Sequence, residues 1–203
     1  MALKNRDNSL KFLRIKEGLF YVGKDLETPY EELEGQIVGL RYKNEEYEGI
    51  PQRKLIITLA DGEDHYQLGL NVEHSNYSSF VSFLANVDVT KSLTLHPKSE
   101  KLNKDGKDVT RNALLVSQNG TFAKSYFTKD NKHGLPEWNI VKVGSKKVTD
   151  KSEYTDFLEK FVMEKFASKL EQPLSKTEVS RQTIDDTDEL EPVEKNKTQL
   201  PWD

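Results

Sequence analysis

At 203 residues the chain has room for one ordinary domain plus extensions. Hydrophobic residues make up 35% and charged residues 32%, no run of about 18 apolar residues exists to span a membrane, and the lack of cysteine excludes disulfides and thiolate metal sites. The net charge of −4 hides an asymmetry: segment 171–203 carries nine acids against four bases, whereas segment 91–148 carries twelve bases against five acids.

Residues 1–34 read as an N-terminal extension. Met1 to Asn8 is polar and lacks the apolar stretch of a signal peptide, so a cytoplasmic location is expected. Residues 10–22 predict two short strands around a Glu17-Gly18 turn. Asp25 to Gly35 is acidic and reads as a loop or a short helical turn. Ile37 to Lys43 alternates, with Val38, Leu40 and Tyr42 on one face and Arg41 and Lys43 on the other. Arg53 to Ala60 points Leu55, Ile57 and Leu59 one way. Asp61-Gly62-Glu63-Asp64 then predicts a hairpin turn into His65 to Leu70, with Tyr66, Leu68 and Leu70 inward.

Ser75 to Val87 predicts a helix, since Tyr77, Phe80, Val81 and Leu84 recur at helical spacing. Ser92 to His96 follows as a strand, and Pro97 to Arg111 as a lysine-rich loop centred on Asp105-Gly106. Ala113 to Ser117 and Thr121 to Thr128 predict two further strands, turned at Asn119-Gly120. Asp150 to Leu170 carries the strongest helical stripe, with Asp150 as cap and Glu153 as its reciprocal partner. Gln172-Pro173 ends it. Residues 173–203 have no periodicity and the polar, acidic composition of a disordered tail.

Three meandering strands, a helix and two more strands is the order of an OB fold, a five-stranded partly open barrel. The expected fold is therefore mainly β, with an OB barrel over 35–148. A C-terminal helix over 149–172 packs on it, and the tail follows. The loop 97–111 joins strands four and five and lines the groove in which such barrels hold oligonucleotides.

Cations interleaved with aromatic rings suit unpaired nucleic acid, because phosphates need charge and bare bases need flat partners. Arg41, Tyr42, Lys43, Arg53, Lys54 and Tyr66 belong to the meander. Lys98, Lys101, Lys104, Lys107 and Arg111 crowd the long loop. Phe122, Lys124 and Tyr126 share one face of the strand 121–128, and Lys129 and Trp138 lie beyond. Tyr42 and Tyr66 fit either a core position or a stacking platform.

The tail ends in Leu200, Pro201, Trp202 and Asp203, after Asp185, Asp186, Asp188, Glu189, Glu191 and Glu194. Nothing local buries Trp202, so a pocket on another protein is its natural partner. In these residues the chain resembles the single-stranded DNA-binding proteins of bacteria and their phages, whose acidic tails often close on a tip such as Asp-Asp-Leu-Pro-Phe. Here Trp202 stands for the Phe, Asp203 follows it, and Lys195 to Gln199 separate the tip from the acidic stretch. The resemblance is to a divergent bacteriophage-type member. It implies sequence-tolerant coating and protection of single-stranded DNA during replication, recombination and repair, in the host cytoplasm. The tip would recruit replication or recombination proteins, and a homo-oligomer is compatible with it.

No enzymatic activity, cofactor, metal or membrane contact is expected. His65, His74, His96 and His133 share no ligand spacing, and the Asp61–Asp64 turn is too short for a calcium loop. The rival reading is a non-catalytic interaction or structural module, such as a virion or assembly component, on the same barrel.

Overall fold

The computed structural model describes residues 10–23, 26–104, 107–143 and 146–169, which fall in one compact unit. The tail expected over 173–203, with Leu200, Pro201, Trp202 and Asp203, lies outside the described residues.

The chain is mainly β, with two helices against a mixed sheet. Strands β1 (Lys11–Lys16) and β2 (Leu19–Val22) form a hairpin. Its turn residues Glu17 and Gly18 both have positive φ, at 52° and 80°, as a two-residue hairpin loop requires. The meander follows as β3 (Leu33–Tyr47), β4 (Ile50–Asp61) and β5 (Asp64–Asn71), paired antiparallel with Leu40 opposite Ile57 and Leu55 opposite Leu70. Helix α1 (Ser75–Leu84) leads to β6 (Ser92–Lys104) and β7 (Lys107–Gln118), and β8 is the short Thr121–Phe122. A separate ribbon, β9 (Asn139–Val143) with β10 (Lys146–Asp150), precedes helix α2 (Ser152–Lys165) and a 3₁₀ turn at Ala167–Lys169.

The expected barrel does not close. The strand order is β2-β1-β5-β4-β3-β6-β7-β8, an open sheet with β2 and β8 at its edges. The reason is the choice of neighbour made by β5. It takes β1 as a parallel partner, with Leu13 beside Leu68, so the N-terminal hairpin occupies the edge that closure would need.

Three local expectations are also corrected. Residues 97–111 are hairpin rather than loop: β6 and β7 pair without a break from Thr94 opposite Ser117 to Lys104 opposite Lys107. Past Pro97 almost every described side chain of this hairpin is exposed, so no apolar alternation marks it. The strand expected over 121–128 stops at Phe122, because α1 takes over the backbone hydrogen bonds. Tyr126 N donates to Ser82 O at 3.0 Å, Phe127 N donates to Ser82 Oγ at 3.1 Å, and Asn86 donates to Lys124 O at 2.8 Å. Finally, the register of β3 against β4 shifts between Ile37 and Gly39. That bulge leaves Val38 exposed and buries both Ile37 and Leu40.

The core lies on one face of the sheet. Leu55, Ile57, Leu59, Leu68, Leu70, Leu93, Leu95, Leu114 and Val116 meet Tyr77, Phe80, Val81 and Leu84 of α1 and Leu158 and Val162 of α2. Each fully buried side chain of this kind contributes roughly 1.5–3 kcal/mol. Asp150 lies one residue before the cap position of α2, and its carboxylate accepts from Ser152 N at 2.9 Å. Among the described residues no helix is long and apolar enough to cross a membrane.

Candidate functional site

With the helices on one face, strand alternation sends every second residue to the other. On β1 these are Phe12, Arg14 and Lys16, all exposed, with Phe12 at 57%. On β2, Tyr21 pairs with Arg14. On β3 they are Arg41, Lys43 and Glu45, and on β4 Lys54 and Ile56, with Arg41 opposite Ile56 and Lys43 opposite Lys54. On β5, Gly69 sits opposite Ile56. A Cβ on Gly69 would meet Ile56 Cδ1 at 3.3 Å and Lys54 Cδ at 3.7 Å, so the glycine lets these two side chains lie across the strand. The result is a continuous patch over β2, β1, β5, β4 and β3. Five cations, Arg14, Lys16, Arg41, Lys43 and Lys54, surround Ile56, which is covered to 6% exposure, with Phe12 and Tyr21 as rings and Glu45 as the acid set among them.

Two lysines of the patch, Lys43 and Lys54, are held by that acid. Lys54 Nζ lies 2.7 Å from Glu45 Oε2, and Lys43 Nζ lies 3.0 Å from Glu45 Oε1. Lys54 first, then Lys43, hold the Glu45 carboxyl below the usual carboxylate range. The register opposes lysine to lysine at two further hairpin positions, Lys104 with Lys107 and Lys142 with Lys147.

The structure disperses the rest of the residues read from the sequence. Arg53 lies on the helix side, where its Nε donates a bifurcated hydrogen bond to both carboxylate oxygens of Glu159 of α2 at 2.9 and 2.7 Å and its guanidinium lies 5.1 Å from the Tyr42 ring centre. Tyr42 points inward too, sharing a 2.9 Å hydrogen bond with the Tyr77 hydroxyl. Tyr66 lines a cavity of about 250 Å³ with Leu13, Phe20, Val22 and Tyr30, and Lys11 lies 5.2 Å from its ring centre. Tyr126 stacks on His133 at 4.0 Å and packs on Phe161 of α2, with the Lys165 ammonium 4.6 Å from its ring centre. Trp138 is 54% exposed, edge-on to Tyr154, with Lys151 4.7 Å from its ring centre.

The β6–β7 hairpin carries Lys98, Lys101 and Arg111, all exposed, with Arg111 opposite Glu100 and Lys101 opposite Thr110. Phe122 is 55% exposed and leans on His96 at 4.9 Å. His96 in turn lies 2.9 Å from Ser117 Oγ and 3.5 Å from the Glu32 carboxylate. Burial lowers the His96 pKa, opposed by Glu32. Lys124 and Lys129 are exposed on the segment after β8. Among the described residues no three His, Asp or Glu side chains are grouped to hold a metal.

Phe12, Arg14, Lys16 and Tyr21 were missed by the sequence reading. Their signal was present, since Lys-Phe-Leu-Arg-Ile-Lys alternates through Leu13 and Ile15. Set beside known proteins, the chain matches no family model, no curated protein and no solved structure.

Proposed function

We propose that the protein binds single-stranded DNA without sequence preference, using the outward patch over β1 to β5. The observation that carries this reading is the alternation of five cations with Phe12 and Tyr21 around Ile56 on a face the helices leave open. Cations neutralise phosphates, and rings stack on bases that have no pairing partner. Supporting the reading, the order β3, β4, β5, α1, β6, β7, with β3 paired to β6, resembles that of an OB fold, without its closure. In such folds the outer face of the second and third strands and the loops after strands one and four hold oligonucleotides. Here those parts are β4–β5, the Tyr47–Ile50 turn, and the basic end of the β6–β7 hairpin. The role that follows is protection of exposed strands in replication, recombination and repair, in a bacterial cytoplasm, with no catalysis. The tail's Leu200-Pro201-Trp202-Asp203 would recruit partner proteins.

The face assignment is tested by the double variant Phe12→Ala with Arg14→Ala, both surface positions. Stacking contributes about 1–3 kcal/mol per base and each phosphate contact adds a salt-dependent term, so affinity for oligo-dT falls ~10-fold or more. Unchanged affinity in a normally folded variant would move the site off this face.

A second reading, a non-catalytic interaction module, is favoured by the β9–β10 ribbon. It exposes Ile140 at 71%, with Val141 and Val148 also open. Sedimentation equilibrium without nucleic acid tests it: a stable oligomer that Ile140→Ser dissolves would support the module.

A further inference from the structure

The Glu45 carboxylate lies between two lysine ammonium groups on the outward face. Lys43 and Lys54 are direct cross-strand partners on the outward face, so their charges oppose each other where no core packing requires either. One carboxylate spans both ammonium groups, one oxygen to each, at 3.0 and 2.7 Å. A phosphodiester offers the same arrangement, two unesterified oxygens sharing one negative charge. Glu45 itself stands opposite Gln52, not a lysine, and reaches along the strand to make both contacts. The seat is accessible: the side chains of Lys43, Lys54 and Glu45 are 54%, 27% and 30% exposed. Ion pairs of this exposure are weak and exchange readily with other anions.

We infer that Lys43 and Lys54 form a phosphodiester seat, and that Glu45 fills it in the free protein as a tethered competitor. The inference rests on the single-strand reading given above and adds a regulator to that site. An incoming strand displaces Glu45 rather than a free counterion. The seat therefore contributes little to the salt dependence of the wild-type protein, since the cations released from the seated phosphate are offset by those drawn to the freed Glu45 carboxylate. The carboxylate also lowers affinity, so that the strand is held firmly only where neighbouring cations, such as Arg14 and Arg41, engage as well.

The test compares wild type, Glu45→Gln, Glu46→Gln, and Glu45→Gln combined with Lys43→Ala and Lys54→Ala. Each full-length protein is titrated with labelled oligo-dT across a salt series. Glu46 is the next residue along, on the opposite side of the strand, and its substitution removes the same charge without touching the seat. Glu45→Gln is expected to bind about 3–10-fold tighter than wild type at low salt, with a log–log salt slope steeper by about 0.7 because no freed carboxylate takes a cation back. Glu46→Gln should change affinity less than twofold, and loss of the two lysines should erase the gain. Equal behaviour of Glu45→Gln and Glu46→Gln, with wild type binding, would overturn the seat and leave the single-strand reading standing. Failure of every variant to bind oligo-dT at low salt would overturn both.

Discussion

Tyr77 is wholly buried, and its hydroxyl meets that of Tyr42 at 2.9 Å. Burial is the main force raising both phenols above their ordinary range. The folded protein thus keeps protons that the unfolded chain releases from about pH 10 upward, and stability declines as pH rises through that region. Tyr77→Phe should cost about 1 kcal/mol at pH 8 through the lost hydrogen bond and should flatten the decline between pH 9 and 11. Urea midpoints across that range check it, and an unaltered pH slope would contradict the assignment. At this scale the sequence was partly legible. Arg53 shares the parity of Leu55 and Ile57, so its inward position was implied by the same alternation that located the core. Its charge drew the opposite reading, because Glu159, which neutralises it, lies 106 residues away in the chain. Parity also puts Tyr42 and Tyr66 inside, but only the presence of Tyr77 and of the β1–β2 hairpin makes them core rather than platform.

Gly18 ties the N-terminal hairpin to the rest of the sheet. Its φ is 80°, and a Cβ added there would stand only 2.7 Å from Ser99 N, which leaves no room for a side chain. Gly18→Ala should destabilise the protein by about 1–3 kcal/mol, since both the backbone and β6 resist it. Thermal unfolding reads this directly, and an unchanged midpoint would mean the hairpin does not press on β6. Elements with a buried side were readable: the meander and α1 show clean periods of 2 and 3.6, and the Asp-Gly and Asn-Gly turns were signalled by their residues. The β6–β7 hairpin was not, because beyond Pro97 both of its faces meet water and nothing apolar marks the period. The segment 123–128 alternates like a strand, yet its backbone partner is Ser82 on α1, a pairing no local pattern announces.

For the whole molecule, charge asymmetry and the order of meander, helix, strands and final helix were visible in the sequence, whereas the β9–β10 ribbon and the open sheet were not. Closure turned on one long-range choice, β5 pairing with β1 in parallel, which composition and periodicity do not encode. The same choice sets Phe12 beside Gln67, brings the outward residues of β1 alongside those of β5, and so builds the patch on which the functional proposal rests. The most direct test of that proposal is fluorescence anisotropy of labelled oligo-dT at about 50 and 200 mM salt, with duplex DNA of equal length beside it. The account predicts tight binding to the single strand that weakens ~10-fold or more at the higher salt, and far weaker binding to the duplex. Absence of single-strand binding at the lower salt, or equal affinity for the duplex, would contradict it.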